Sequence, residues 1–156
     1  MNTISFLKKQ NLEVTPEDKE KLVTLRKEVI ALSKTVSCSR DTCAKDMYSD
    51  KNIGCCKHSC SGYFGTFERL ETITLPILNN MSIDELNDKL TNIYNNGGFW
   101  KNGCILPREL RPFLCLRYYC GARQKTLPRG FMQRIEDITN TLDSITGKYN
   151  HISINY

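Results

Sequence analysis

Long apolar runs are missing from this sequence, and their absence removes the membrane-spanning class first. No run of about 18 apolar residues occurs, so no segment has the length and character of a transmembrane helix. The opening MNTISFLKKQ has neither an apolar run of about seven or more residues nor the small-residue cleavage site of an export signal, and a cytoplasmic location is therefore expected. There is no polybasic tract either. The 22 basic and 17 acidic residues are spread along the chain for a net charge of +5, a mild excess that argues only weakly for nucleic acid. Internal repeats and low-complexity stretches are absent.

Recognisable catalytic patterns are lacking as well. GARQKT at 121–126 is without the first glycine and the Gly-Lys pair of a phosphate loop. Asp41, Asp46 and Asp50 do not have the spacing and central glycine of a calcium loop. No serine, histidine and acid motif and no patterned pair of carboxylates stands out, so no catalytic residue is assigned and the enzyme question stays open.

What is present is an ordinary globular composition, 40% hydrophobic and 25% charged over 156 residues, enough for one domain with its own core. Thr15, Pro16 and Asp18 form a helix start, with a hydroxyl cap, a proline at the first helical position and an acid in the first turn. The apolar residues Leu22, Leu25, Val29, Leu32 and Val36 then recur at alternating spacings of three and four, which predicts a helix over 16–36 with one buried stripe. Ser82 and Glu85 make a capping box before Ile83, Leu86, Leu90 and Ile93, predicting a helix over 83–95 that Asn95, Asn96, Gly97 and Gly98 stop. Phe131, Ile135, Ile138, Leu142 and Ile145 predict a third over 130–146, closed by Gly147. The fold class expected is mainly α: a small bundle in which these three helices share one core, with two cysteine-rich irregular segments, 37–80 and 97–128, forming a metal site. The tail from Tyr149 to Tyr156 alternates weakly and reads as a short strand or an ordered end.

All eight cysteines fall in those two segments: Cys38, Cys43, Cys55, Cys56 and Cys60 in the first, Cys104, Cys115 and Cys120 in the second. With no export signal, a disulfide framework is disfavoured and thiols are expected to persist as thiols or as metal ligands. Thiolates are soft donors that suit zinc, copper(I) and iron–sulfur clusters. Cys56 and Cys60 would share one face of a helical turn, and Cys115, after Pro112, suits the first turn of a short helix, where the thiolate is favoured. Adjacent thiols rarely both point at one ion, so Cys55 and Cys56 either serve different metals or include a non-ligand. Lys57, Arg111, Arg117 and Arg123 could offset the roughly two negative charges of a four-thiolate site. Any one of these thiols could instead simply fill core space, but eight clustered ones are a metal-site signal. The spacings match no C-x2-C zinc pattern. His58 lies inside the cysteine run as a candidate nitrogen ligand, His151 has no assigned role, and Phe99, Trp100, Tyr118 and Tyr119 read as core aromatics in preference to a shield for a cluster.

The runs Gly54-Cys55-Cys56-Lys57-His58-Ser59-Cys60, Gly103-Cys104-Ile105-Leu106-Pro107-Arg108-Glu109-Leu110-Arg111-Pro112-Phe113-Leu114-Cys115 and Tyr119-Cys120 resemble the YkgJ-type cysteine-cluster family. That family is described as zinc- or iron-chelating proteins with a CxxCxxCC-like opening and a later glycine-cysteine, arginine-proline, cysteine, cysteine order. The resemblance covers about Cys38 to Cys120, roughly half the chain, and is stronger in the later segment. It implies that Cys55, Cys56, Cys60, Cys104, Cys115 and Cys120 ligate metal and that Arg111 and Pro112 shape the turn before Cys115. The sequence departs at the front, where four residues separate Cys38 from Cys43 and eleven separate Cys43 from Cys55, in place of a compact opening.

The function expected is metal binding, zinc or iron, in a structural or metal-handling role. One alternative is an iron–sulfur redox protein or enzyme component. Another is an interaction module whose basic excess faces a nucleic acid or an acidic partner while the metal merely holds the fold. A protein partner is compatible with either reading, nucleic acid is the less expected one given the mild charge excess, and no membrane is expected.

Overall fold

The computed structural model describes residues 2–9, 13–36, 69–99, 105–117, 119 and 124–150. Helix α1 spans Pro16–Thr35 and starts as its sequence dictates. The Thr15 hydroxyl accepts from the Asp18 amide at 3.2 Å, filling one of the amide donors a helix start leaves without an intrahelical partner. Val36 is already extended. The buried face is wider than the apolar stripe alone: Leu22, Val23, Val29 and Ile30 share it with Arg26 and Ser33, while Leu25 and Leu32 are only partly buried.

Helix α2, Arg69–Asn79, corrects the expectation that 37–80 is irregular throughout. Pro76 lies inside it and removes the N–H that would bond the Thr72 carbonyl, which disguises the helix in the sequence. Tertiary burial outweighs that loss. The end of α2 is well made: Asn80 takes the left-handed conformation (φ 51°), its amide donates to the Ile77 carbonyl at 3.4 Å, and the Met81 amide reaches the Pro76 carbonyl at 3.1 Å. These two bonds satisfy carbonyls that the helix would otherwise leave bare.

Helix α3 runs Ile83–Asn95. Ser82 Oγ accepts from the Glu85 amide at 3.1 Å, and Gly97 and Gly98, both at positive φ, return their amides to the Tyr94 carbonyl. A 3-10 turn at Arg108–Leu110 leads into α4, Phe113–Arg117. Helix α5, Phe131–Asn150, passes through Gly147 where a stop was expected, so Tyr149 and Asn150 are helical and not part of a terminal strand. Glycine costs about 1 kcal/mol inside a helix. The last turn is held by tertiary contacts, since Lys148 and Tyr149 both reach Asp18 in the first turn of α1. No strand occurs among the described residues, and the tail 151–156 lies outside them.

Two apolar clusters replace the single shared core expected of the three helices. The first joins α1, α4 and α5 through Leu22, Val29, Ile30, Phe113, Leu116, Ile135, Ile138 and Leu142, with Leu70 of α2. The second gathers Phe6, Leu7, Leu75, Leu86, Leu90, Phe99, Leu106, Leu110 and Cys115. Helix α3 belongs to the second, apart from the other two long helices. Its face also carries Asn87 and Thr91, which bind the backbone of the amino-terminal segment: the Leu7 amide donates to Asn87 Oδ1 at 2.8 Å, Asn87 Nδ2 donates to the Leu7 carbonyl at 3.0 Å, and the Ile4 amide donates to Thr91 Oγ1 at 2.9 Å. Helix α2 supplies Leu70 to one cluster and Leu75 to the other, five residues and about 140° apart around the axis.

Candidate metal centre

The described thiol is Cys115. It is the third residue of α4, buried at the edge of the second cluster, and its amide donates to the Pro112 carbonyl at 2.9 Å. A helix this short carries little dipole, so whatever charge acts on the sulfur comes mainly from side chains.

The buried charge behind this turn is Arg26, in the middle of the buried face of α1. Its side chain is 0% exposed and pairs with Glu71 of α2, itself 2% exposed, at 3.1 Å. The second terminal nitrogen, Nη2, donates to the Arg111 carbonyl. Glu71 Oε1 also accepts from the Phe113 amide at 2.7 Å, an amide at the start of α4 that has no intrahelical partner. Arg26 and Glu71 thus hold the backbone on both sides of Pro112. Arg111 closes the turn from within by donating from Nε to the Leu106 carbonyl at 2.8 Å, and Asn79 Nδ2 donates to the Glu109 carbonyl at 3.0 Å. Arg111 thus bonds within this turn through its own side chain, and Pro112 offers its carbonyl to the Cys115 amide.

Burial pushes the Arg26 guanidinium pKa down, while Glu71, by charge and hydrogen bond, and then Cys115, by charge, push it back up. Arg26 lies in a dry site with the Glu71 carboxylate as its ion-pair partner, and that partner keeps the guanidinium cationic. Its Nε–H finds no acceptor among the described residues, an arrangement that costs about 1–3 kcal/mol if nothing fills it.

Cys38, Cys43, Cys55, Cys56, Cys60, Cys104 and Cys120 lie outside the described residues, as do His58, Lys57, Arg123, Trp100 and Tyr118. Among the described residues, no group of three or more histidine, cysteine or acidic side chains could hold a metal ion. Phe99 stacks with Phe6 and Tyr94 at centroid distances of 5.4 and 5.5 Å, and Tyr119 meets Phe131 edge-on at 5.3 Å, so both aromatics belong to the core. Arg117 lies over the Phe113 ring at 5.9 Å. A shallow groove of about 430 Å³ between α1 and α5, lined by Glu17, Glu20, Lys21, Thr24, Leu25, Thr141 and Ile145, does not include Cys115.

Sequence reasoning passed over Arg26 and Glu71. The signal for Arg26 was its position: with Leu22, Val29 and Ser33 it continues the three-and-four spacing of the buried face, where a charge demands a partner. Glu71 carried no such signal, because its helix was not foreseen. No helix among the described residues is long and apolar enough to cross a membrane. No known protein family, curated protein or solved structure matches the chain.

Proposed function

We propose that the protein binds zinc or iron through cysteine thiolates, in a structural or metal-handling role in the cytoplasm, with Cys115 as one ligand. The observation that carries this reading is the setting of Cys115: an apolar wall on one side and, interacting with its charge, a buried guanidinium held by two acceptors, the Glu71 carboxylate and the Arg111 carbonyl. A cysteine that only fills space needs no cation nearby, whereas a thiolate ligand in a dry interior does. The clustering of all eight thiols in two segments and their likeness to the YkgJ-type family support the same reading. The remaining donors come from Cys55, Cys56, Cys60, Cys104 and Cys120, with Cys38 and Cys43 ranked below them. A metal bound there would cross-link the two cysteine-rich segments, adding binding energy to folding.

The test is metal and acid-labile sulfide analysis, with an absorption spectrum, on protein purified without oxygen. Zinc or iron near stoichiometric amounts, with fewer than eight thiols titrating in the native state, is the expected result. Iron with sulfide and visible charge-transfer bands would assign a cluster and favour redox chemistry. Protein free of zinc, iron and copper, with all eight thiols reacting freely, would defeat the proposal.

A further inference from the structure

We propose that one face of α3 is a peptide-binding site capped by the chain's own amino-terminal segment, and that this segment stands in for a Phe-Leu peptide with a lysine two positions on, presented by a partner protein. The case begins with two polar side chains in an apolar setting. Asn87 and Thr91 lie about one turn apart on α3, both buried, where an amide or a hydroxyl is costly unless it is bonded. Among the described residues, both direct all their side-chain hydrogen bonds to the backbone of one segment. Asn87 accepts from the Leu7 amide and donates to the Leu7 carbonyl. Thr91 does the same for Ile4, accepting from its amide at 2.9 Å and donating to its carbonyl at 3.4 Å. Each side chain thus satisfies both backbone groups of a single residue, as a neighbouring strand would. Bonds of this kind hold a main chain of any sequence.

Selectivity comes from the side chains. Phe6 meets the rings of Tyr94 and Phe99 at centroid distances of 5.8 and 5.4 Å, and Leu7 joins Leu75, Leu86 and Leu90. Adjacent side chains of a straight strand point to opposite sides, so both enter because the chain bends here, with the Phe6 amide donating to the Ile4 carbonyl at 3.1 Å. Acids mark the two ends: Asp88 accepts from the Thr3 hydroxyl at 2.6 Å, and Asp84 pairs with Lys9 at 3.1 Å. Ser5 and Lys8 are exposed and leave their positions free of any demand.

The segment is held as a ligand is held. Residues 2–9 form no helix or strand, and of their side chains only Phe6 and Leu7 are buried, which places them at the low-stability end of the molecule, able to open while the helices stay folded. What favours them over an outside peptide is the tether, which gives an effective concentration on the order of mM.

The probe is a blocked synthetic peptide, TISFLKK, carrying a fluorophore at its amino end and followed by anisotropy. It is titrated into the full chain as the native protein, as Phe6→Ala with Leu7→Ala, which weakens the cap and leaves the site intact, and as that double variant with Asn87→Ala added. The double variant is expected to bind roughly 10- to 100-fold more tightly than the native protein, because the competent state is no longer occupied. Adding Asn87→Ala should weaken that binding about 10-fold or more, and a glutamate at the last position of the peptide should weaken it at low salt. In the native protein, peptide at mM levels is expected to speed hydrogen exchange at the Leu7 amide while the Leu90 amide inside α3 keeps its protection. A folded double variant that leaves the peptide unbound, or a double variant that unfolds, would show that the segment is an integral part of the core and overturn the proposal. Native dimers that vanish in the double variant would seat a second copy's segment on α3 and overturn the choice of partner.

Discussion

The hydroxyl of Tyr149, one residue from the end of α5, donates to a carboxylate oxygen of Asp18 in the first turn of α1, and Lys148 reaches the other oxygen at 3.4 Å. The contact closes the two long helices on each other across 131 positions of sequence. The Tyr149 hydrogen bond first, then the charge of Lys148, holds the Asp18 carboxyl below its ordinary 3.8 despite burial. Folded protein therefore binds this proton less readily than the unfolded chain. The stabilisation is complete above about pH 4 and drains away as pH falls through the lower, folded value. In urea melts from pH 6 down to pH 2.5, Asp18→Asn is expected to start less stable than the native protein and to converge with it at the acid end. A constant gap across that range would contradict the linkage.

Asn87 should be the clasp of the amino-terminal segment. Replacing it with alanine leaves the Leu7 amide and carbonyl without their partners in a buried place, which costs about 1–3 kcal/mol. Hydrogen exchange at the Leu7 amide is expected to speed up far more than exchange within α5. Equal protection in native and Asn87→Ala protein would show that Phe6 and Leu7 are held by apolar burial alone.

The glycines of this chain should divide by backbone angle. Gly147 sits within α5, and a methyl group there would meet nothing within 4 Å, so Gly147→Ala is expected to stabilise by about 0.5–1 kcal/mol. Gly98 and Gly130, at φ of 83° and 82°, also face open space, yet alanine there is expected to destabilise by roughly 1–2 kcal/mol because the left-handed backbone strains any side chain. Chemical denaturation of the three variants checks the order.

Among the thiols, single serine replacements at Cys115, Cys120, Cys56 and Cys60 should lower metal content most, with smaller losses at Cys38 and Cys43. Serine matches cysteine in size but is a poor substitute for a thiolate, and structural zinc in small domains can contribute roughly 10–16 kcal/mol to folding. Metal analysis of the purified variants decides it. Intact stoichiometry in Cys115→Ser and Cys120→Ser beside its loss in Cys38→Ser and Cys43→Ser would reverse the ranking.

The helix starts were legible because local chemistry writes them: Thr15 with Pro16, and Ser82 with Glu85, each act within one turn of themselves. Helix ends were less so. Gly147 looks like a stop only until the contact of Tyr149 with Asp18 is known, and that contact is long-range. Helix α2 was hidden by Pro76, whose local penalty is offset by burial of Leu70 and Leu75 in two different clusters. The placement of Cys115 in a short helix after Pro112 could be read from sequence. The residues that hold that helix in place could not, since Arg26 and Glu71 find each other over 45 positions and only the packing of α1 on α2 brings them together.

Leu70 and Leu75 make α2 a party wall, with one apolar cluster on each side, and α4 repeats the arrangement by giving Leu116 to the first and Cys115 to the second. Neither half can come apart without stripping one face from both shared elements. The described helices are therefore expected to melt as one cooperative unit and not as two foldons of different strength. By mass action, any ligand that engages Cys115 in the native state raises the melting point of the α1 and α5 side as much as that of the α3 side where the sulfur sits.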